Sequence, residues 1–275
     1  MLKRSSMQTV SEWLARPDIR QLRDTPLQEH LTEKFFREPI RPQFYDHSMF
    51  YSPADGFVLY SLTVGPRDRI VSVKGRNLTT RELLQAETYS ANSLVIGVFL
   101  TFYDVHVNRL PTDGYVHFRQ PAAIGAETMV PVEAAILKGQ PVGANDLGYI
   151  FTNERVVTRV YNPRIQQPYY LVQIADREVD TIALFAEDGA YLKQGKRFGG
   201  IRFGSQVDLI IPLTNPRVEF HSLVQGKELY HVEAGIDPLV RVEASDGPEH
   251  PSSFGGPGGQ QPEQPLNHDH PHLPG

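Results

Sequence analysis

Short apolar runs separated by turn residues dominate the chain beyond Pro39. The runs are rich in β-branched and aromatic residues, and Gly, Pro, Asp and Asn stand between them, which is typical of β-strands. Strands are predicted at 58–64, 70–73, 94–102, 156–161, 169–174, 181–185 and 207–212. The pattern therefore predicts a mostly β (α+β) protein whose body is a sandwich-like β barrel or sheet.

The N-terminal region has a different periodicity. Apolar residues recur with helical spacing around Trp13, which predicts a helix over 9–15 that Pro17 ends. A second helix is predicted over 27–37. We therefore expect N-terminal helices to lead into the β body.

Composition changes again near the C-terminus. From Gly247 onward the chain is dense in Gly, Pro, Gln and His and nearly free of aliphatic residues, so it cannot bury enough surface to offset its ordering entropy. The predicted organisation is a helical lead-in at 1–38, a folded domain at 39–245 and a disordered tail at 246–275. The tail's HDHPH run could hold a metal ion loosely, but a solvated low-complexity end is the favoured interpretation, and no metal site is predicted.

Charge and composition exclude several classes of function. The 275-residue chain carries 27 basic and 32 acidic residues, a net charge of −5, and its basic residues are scattered, which argues against a nucleic-acid partner. It has no cysteine, so thiolate nucleophiles and zinc-thiolate sites are excluded.

Hydropathy bears on where the protein works. The sequence has neither an apolar run of spanning length nor the apolar core of a signal peptide, so a cytoplasmic location is expected. The segment around Trp13 leaves two interpretations open, an amphipathic helix lying on a membrane surface or a helix packed on the body.

Three polar residues next to the predicted strands are candidates for chemistry. Ser205 follows Gly204 immediately before the strand at 207–212, His106 follows the strand at 94–102, and Asp55 lies in the SPADG sequence at 52–56. Each has an ordinary interpretation when taken alone: a turn serine, a structural histidine and a turn-forming aspartate. Their order along the chain is more informative.

Seven short motifs occur in an order that resembles the phosphatidylserine decarboxylase family of pyruvoyl enzymes. The VHVNR sequence and the RFGS sequence followed by VD look most like the short bacterial and archaeal branch. The motifs are FFREPIRP at 35–42, SPADG at 52–56, VKGRNLTTRELL at 73–84, DVHVNRLP at 104–111, TNERV at 152–156, YLVQIA at 170–175 and GKRFGGIRFGSQVDLIIP at 195–212.

The resemblance implies that Ser205 is the precursor of a covalent cofactor. No ordinary side chain is an electron sink, so a decarboxylase without an external cofactor must make a carbonyl from its own chain. By resemblance, Ser205 attacks the carbonyl of Gly204, the chain is cleaved between them, and residue 205 becomes a pyruvoyl group. His106 and Asp55 are the implied base and orienting group.

The resemblance also implies a zymogen whose two cleaved chains, 1–204 and 205–275, stay assembled. Residues 39–245 are then the catalytic domain, and the reaction converts phosphatidylserine to phosphatidylethanolamine, with peripheral membrane contact and a homo-oligomer left open. Two alternatives are a soluble pyruvoyl-dependent decarboxylase of a free amino acid or other small amine-bearing acid, and a non-catalytic barrel-sandwich binding domain.

Two positions depart from the family pattern. Many members carry two histidines spaced HxxH, whereas this chain has His106 followed by Arg109, so one imidazole is expected to serve both processing and decarboxylation unless Arg109 changes the route. Gln206 stands where Ser, Thr or Arg is common. We count this second departure as minor, because the attack itself requires the Gly-Ser pair.

Overall fold

The computed structural model describes residues 7–34, 37–177, 182–201, 204–224 and 229–245. All of them belong to one compact unit, Met1–Ser245. The predicted disordered tail at 246–275 and its histidines lie outside the described residues, as does residue 181 at the start of one predicted strand.

Helices are short and strands are numerous. The helices are α1 Val10–Ala15, α2 Pro17–Asp24, α3 Leu27–Glu29, a π-helix His30–Lys34, α4 Thr80–Leu84, α5 Val130–Leu137, a 3-10 helix Ala144–Leu147 and α6 Tyr149–Thr152. The strands are β1 Gln8–Thr9, β2 Met49–Tyr51, β3 Gly56–Val64, β4 Val71–Val73, β5 Arg76–Leu78, β6 Ser93–Leu100, β7 Val107–Arg109, β8 Gly114–Arg119, β9 Arg155–Asn162, β10 Gln167–Ala175, β11 Ile182–Leu184, β12 Tyr191–Leu192, β13 Arg197–Ile201, β14 Ser205–Pro212, β15 Val218–Ser222, β16 Tyr230–Val232 and β17 Pro238–Ala244.

A nine-stranded sheet organises the described part of the chain, in the order β1-β16-β3-β6-β14-β10-β9-β8-β12. Neighbouring strands in it are antiparallel. Two three-stranded sheets, β11-β13-β7 and β15-β17-β2, and the pair β4-β5 complete the described strands. Strand β14 lies at the centre of the large sheet, between β6 and β10.

Both faces of the central strands are covered. Every residue of β6 and β14 is buried, and alternate residues of β14 enter two different apolar clusters, with Val207 and Leu209 in one and Ile210 in the other. This is the period-two arrangement of a strand. A strand covered on both faces reads as a continuous apolar run, which is why β6 and β14 are so visible in the sequence.

The predicted fold class is confirmed: the body is mostly β, sandwich-like, and preceded by helices. Helix α1 begins after Thr9, whose side chain and that of Glu12 form a capping box. Pro17 ends α1 as predicted but also opens α2 at its first position, where proline is well tolerated. Helices α2, α4, α5 and α6 were not predicted, and the single helix predicted over 27–37 is α3 followed by the π-helix.

Helix α1 packs on the body through its tryptophan. Trp13 is fully buried, in edge contact with Phe57 at 5.2 Å and stacked on His231 at 5.2 Å. Arg16 adds an ion pair with Glu233 at 2.8 Å. Of the two interpretations of this segment, the structure has the packed helix. Across the described residues no helix combines the length and the apolar character needed to cross a membrane.

We predict that Trp13→Ala lowers the free energy of unfolding by about 3–5 kcal/mol, because it leaves a cavity at a fully buried aromatic site. Urea denaturation followed by circular dichroism measures this, in a Ser205→Ala background that keeps the chain intact. The control is Tyr45→Ala, at a side chain that is 55% exposed, with an expected change within about 0.5 kcal/mol. Equal effects at both positions would show that Trp13 does not pack as described.

Candidate active site

Ser205 is placed by the pairing of β14 with both of its neighbours. It is the first residue of the strand, directly opposite Leu100 of β6 and Ala175 of β10. Its side chain is fully buried. The hydroxyl is therefore held in the sheet and screened from bulk water, at the point where the strand begins.

His106 reaches Ser205 through a tight turn after β6. The Asp104 amide donates to the Thr101 carbonyl at 3.0 Å, which reverses the chain and brings His106 back to the end of the sheet. The His106 Nδ1 atom lies 3.3 Å from the Ser205 Oγ atom, although the two residues are 99 positions apart in sequence. The predicted serine and histidine are thus in contact.

The second ring nitrogen of His106 fixes the tautomer. Nε2 lies 3.1 Å from the Thr101 carbonyl oxygen, and a carbonyl oxygen can only accept a hydrogen bond. The ring proton is therefore on Nε2, and Nδ1 carries a lone pair directed at Ser205. The Ser205 hydroxyl donates to that lone pair, which is the arrangement a general base requires.

Burial keeps the imidazole neutral. It lowers the pKa of His106 to about 4, although the nearby charge of Asp104 and the hydrogen bond to Thr101 act in the opposite direction. Desolvation disfavours the cation. At neutral pH the ring is therefore available to accept a proton from Ser205.

The carbonyl that Ser205 would attack has its own hydrogen-bond donor. The Asp176 main-chain amide donates to the Gly204 oxygen at 3.0 Å. A donor in that position polarises the carbonyl and stabilises negative charge that develops on its oxygen. The Asp176 carboxylate accepts from the Met129 amide at 3.1 Å and from the Arg177 amide at 2.6 Å, which holds the residue in place.

Position 204 leaves little space for a side chain. A Cβ atom at this position would lie 3.1 Å from the Asp176 Oδ2 atom, which is tighter than ordinary contact. Close approach to Asp176 is the reason that the structure gives.

Asp55 lies in the same region with a partner of its own. Its carboxylate makes a two-pronged ion pair with the Arg41 guanidinium, both oxygens at 2.5 Å, and accepts from the Ala234 amide at 2.8 Å. Its charge raises the pKa of His106 against the stronger effect of burial. The role of Asp55 as the group that orients His106 stays a prediction, and in this structure the Nε2 proton goes to the Thr101 carbonyl.

Arg109 and Gln206, the two positions that depart from the family pattern, contact different groups. Arg109 donates to Glu38 at 2.9 Å and to the Gly195 carbonyl at 3.0 Å. Gln206 accepts from the Tyr149 hydroxyl at 2.6 Å and donates to Asp208 at 2.9 Å, on the face of β14 opposite Ser205. Neither contact set uses the Ser205 hydroxyl.

A cavity of about 430 Å³ lies beside this region. Its lining includes Val105, the residue before His106, and charged side chains of both signs, among them Arg37, Arg41, Asp55 and Asp104. Such a lining suits a ligand that carries both positive and negative groups.

Comparison with known proteins identifies the family. The family model for phosphatidylserine decarboxylase matches residues 29–236. The chain belongs to the phosphatidylserine decarboxylase family. The chain is similar to a Methanopyrus kandleri protein, provisionally named as an archaetidylserine decarboxylase proenzyme, that is 31% identical over 76% of this chain and 81% of its own length.

Two bacterial relatives are named phosphatidylserine decarboxylase proenzyme. The Geobacter metallireducens protein is 29% identical over 65% of this chain and 65% of its own length. The Beijerinckia indica protein is 33% identical over 65% of this chain and 62% of its own length. The resemblance stated from the seven motifs is confirmed, and membership of the family makes the chain a decarboxylase, which is a lyase.

Two contributors to the site were missed from the sequence. The Thr101 carbonyl and the Asp176 amide are main-chain groups, so their residue types carry no signature of the role. The available signals were positional: Thr101 is the next-to-last residue of the predicted strand at 94–102, and Asp176 directly follows the YLVQIA motif at 170–175. Both lie at strand ends beside Ser205 because β6 and β10 flank β14.

We predict that His106 stays neutral, with its proton on Nε2, down to about pH 4, because its pKa is lowered by burial. Nitrogen-15 NMR of the ring in the Ser205→Ala protein measures both properties, and His106→Gln assigns the signals. As the pH falls below the lowered pKa, the ring takes up a proton and the neutral signals disappear. Protonation near pH 6.5, or a proton on Nδ1, would contradict the arrangement described here.

Proposed function

We propose that the chain is a pyruvoyl-dependent decarboxylase that cleaves itself between Gly204 and Ser205 and acts on a lipid with a phosphoserine headgroup. The observation that carries the proposal is the hydrogen bond between the Ser205 hydroxyl and the neutral His106 ring, next to a Gly204 carbonyl already polarised by the Asp176 amide. A nucleophile, a base and an oxyanion donor converge on one peptide bond.

Cleavage begins with proton transfer from the Ser205 Oγ atom to the His106 Nδ1 atom. The oxygen attacks the Gly204 carbonyl carbon, and negative charge forms on the carbonyl oxygen, where the Asp176 amide donates. The C–N bond then breaks, the nitrogen of residue 205 takes up a proton, and an ester joins Gly204 to the Ser205 oxygen.

Elimination completes the cleavage. Loss of the Cα proton of residue 205 breaks its Cβ–O bond, which releases a carboxylate at Gly204 that keeps the serine oxygen. The resulting dehydroalanine consumes one water and releases ammonia, and the new chain begins with a pyruvoyl group. The residues present fit this group: residue 205 is buried at the start of a strand, and His106 stands next to it.

The pyruvoyl carbonyl supplies the electron sink that decarboxylation requires. Residue 205 holds it covalently, so no separate binding site is needed. We assign to the His106 Nδ1 atom, which faces residue 205 and carries no proton at neutral pH, a relay role: it takes up the proton that the substrate ammonium must lose and then delivers that proton to the product. Burial of the ring excludes water from that transfer.

The substrate proposal draws on the cavity and on the relatives. A phosphoserine headgroup carries an ammonium, a carboxylate and a phosphate, and the cavity beside Val105 is lined by arginines and carboxylates. The names of the relatives include both phosphatidylserine and archaetidylserine. These two lipids share the headgroup, so the proposal is stated at that level.

We predict that the purified protein consists of two chains, 1–204 and a second chain that begins with a pyruvoyl-blocked residue 205. Intact-mass spectrometry measures both. Ser205→Ala should remain a single chain because it lacks the attacking oxygen, and His106→Gln should slow cleavage by about 100-fold or more, because the base is lost. His117→Gln, at a distant histidine paired with Asp188, is the control and should cleave normally. A full-length wild-type chain after long incubation would overturn the proposal.

The substrate class separates the main proposal from the soluble alternative. We predict that the cleaved protein releases carbon dioxide from vesicles that contain phosphatidylserine and from vesicles that contain archaetidylserine, because it recognises the shared headgroup. Labelled carbon dioxide is measured, with phosphatidylcholine vesicles and Ser205→Ala as controls. Release from free serine and from neither vesicle would favour the soluble enzyme, and release from one lipid alone would show that the hydrophobic part is recognised as well.

A further inference from the structure

We infer that the buried Asp104–His231 pair positions the catalytic base, because it holds the turn whose Thr101 carbonyl fixes the His106 ring. This inference rests on the self-cleavage proposed above. Neither residue touches Ser205 in the contacts described, so both are positioning residues for the self-cleavage, and both also line the cavity beside Val105.

Asp104 holds Thr101, the residue whose carbonyl orients the His106 ring. Its Oδ2 atom accepts from the Thr101 main-chain amide at 2.7 Å and from the Thr101 hydroxyl at 2.7 Å. The carbonyl of the same residue accepts from His106 Nε2 at 3.1 Å. Release of Thr101 from Asp104 therefore frees the acceptor that selects the tautomer of His106.

His231 holds the other oxygen of Asp104. Its Nε2 atom donates to Asp104 Oδ1 at 2.7 Å. His231 is itself held by pairing with Phe57 in the large sheet and by stacking on Trp13. The turn is thereby fixed to the sheet and to helix α1.

The chemistry of Asp104 suits this role better than that of a neutral residue. Burial raises the pKa of Asp104, but the imidazole of His231 and hydrogen bonds from Thr101 outweigh that effect, so the pKa lies below its ordinary value and the group is a carboxylate. Its negative charge raises the pKa of His106 against burial. Asp104 therefore holds the turn and also favours the protonated ring that forms when Ser205 gives up its proton.

The pair is as buried as the groups it serves. Asp104 is 2% exposed, His231 3% and His106 5%. A buried carboxylate that loses a partner is costly. A buried pair that does not contact the nucleophile, yet leads by two hydrogen bonds to the base, has a positioning role in self-cleavage that can be measured.

The test compares cleavage rates of newly made Asp104→Asn and His231→Phe proteins with wild type. Asp104→Asn removes the charge and keeps the size, and His231→Phe keeps the ring on Trp13 but loses the donor. We expect cleavage to slow by about tenfold or more in each, the usual effect of losing a hydrogen bond to a charged group. His231→Gln, which retains a donor, should recover part of the rate and replaces His231→Phe if that protein does not fold.

The matched control is Asp113→Asn. Asp113 is 5% exposed and accepts from the Gln194 amide at 2.8 Å and the Tyr191 hydroxyl at 3.1 Å, so its burial and contacts are comparable but lead to neither His106 nor Ser205. We expect its cleavage rate to lie within about twofold of wild type.

A second measurement separates positioning from a general loss of structure. In the uncleaved Ser205→Ala background, nitrogen-15 NMR should show one His106 tautomer when Asp104 is present and a mixture of tautomers in the Asp104→Asn variant, while near-ultraviolet circular dichroism stays unchanged. Wild-type cleavage rates in Asp104→Asn and His231→Phe, an unchanged tautomer, or equal slowing by Asp113→Asn would each overturn the inference. Absence of cleavage in wild type would instead refute the proposed function, and the NMR experiment would still decide whether the pair orients the ring.

Discussion

The hydrogen bond from His106 Nε2 to the Thr101 carbonyl decides what the site can do. It places the ring proton on Nε2 and leaves Nδ1 as a hydrogen-bond acceptor 3.3 Å from the Ser205 hydroxyl oxygen. A carbonyl orients the ring without the full negative charge of a carboxylate, so burial dominates and the pKa of His106 falls to about 4. Such a base is always unprotonated at neutral pH but accepts a proton reluctantly, which suits a cleavage that each chain performs once.

The register of the central strand β14 determines whether Ser205 faces His106. Register in a strand has period two, so a slip of one residue would exchange its faces. On β14 a slip would carry Gln206 and Asp208 away from the Tyr149 and Tyr60 hydroxyls, with which they form a buried polar network, and would turn Ser205 away from His106. Burial raises the pKa of Asp208 to about 7, although hydrogen bonds from Tyr60 and Gln206 act in the opposite direction. Loss of those bonds would leave a buried carboxyl group without partners, so the network is costly to disrupt. The face away from the site thus helps to hold Ser205 in place.

Side-chain patterns in the sequence predicted part of the fold and of the site, whereas the main-chain groups of the site were not predictable. Strands β6, β10 and β14 were predictable because a strand buried on both faces is a continuous apolar run, whereas β8 and β15 alternate with polar residues and were missed. The pairing of Ser205 with His106 came from the resemblance, since nothing in a separation of 99 residues predicts contact. The Thr101 carbonyl, the Asp176 amide and the Arg41 partner of Asp55 depend on tertiary placement and have no local pattern.

The N-terminal helices bring a further constraint, because their packing reaches the site. Trp13 stacks on His231, and His231 binds the carboxylate that holds the turn before His106. Withdrawing Trp13 into a membrane surface would uncover a buried histidine and loosen that chain of contacts. The Trp13 ring, which the sequence offered as a membrane anchor, is therefore buried in the protein in this conformation. Contact with lipid in this conformation has to be made by other side chains.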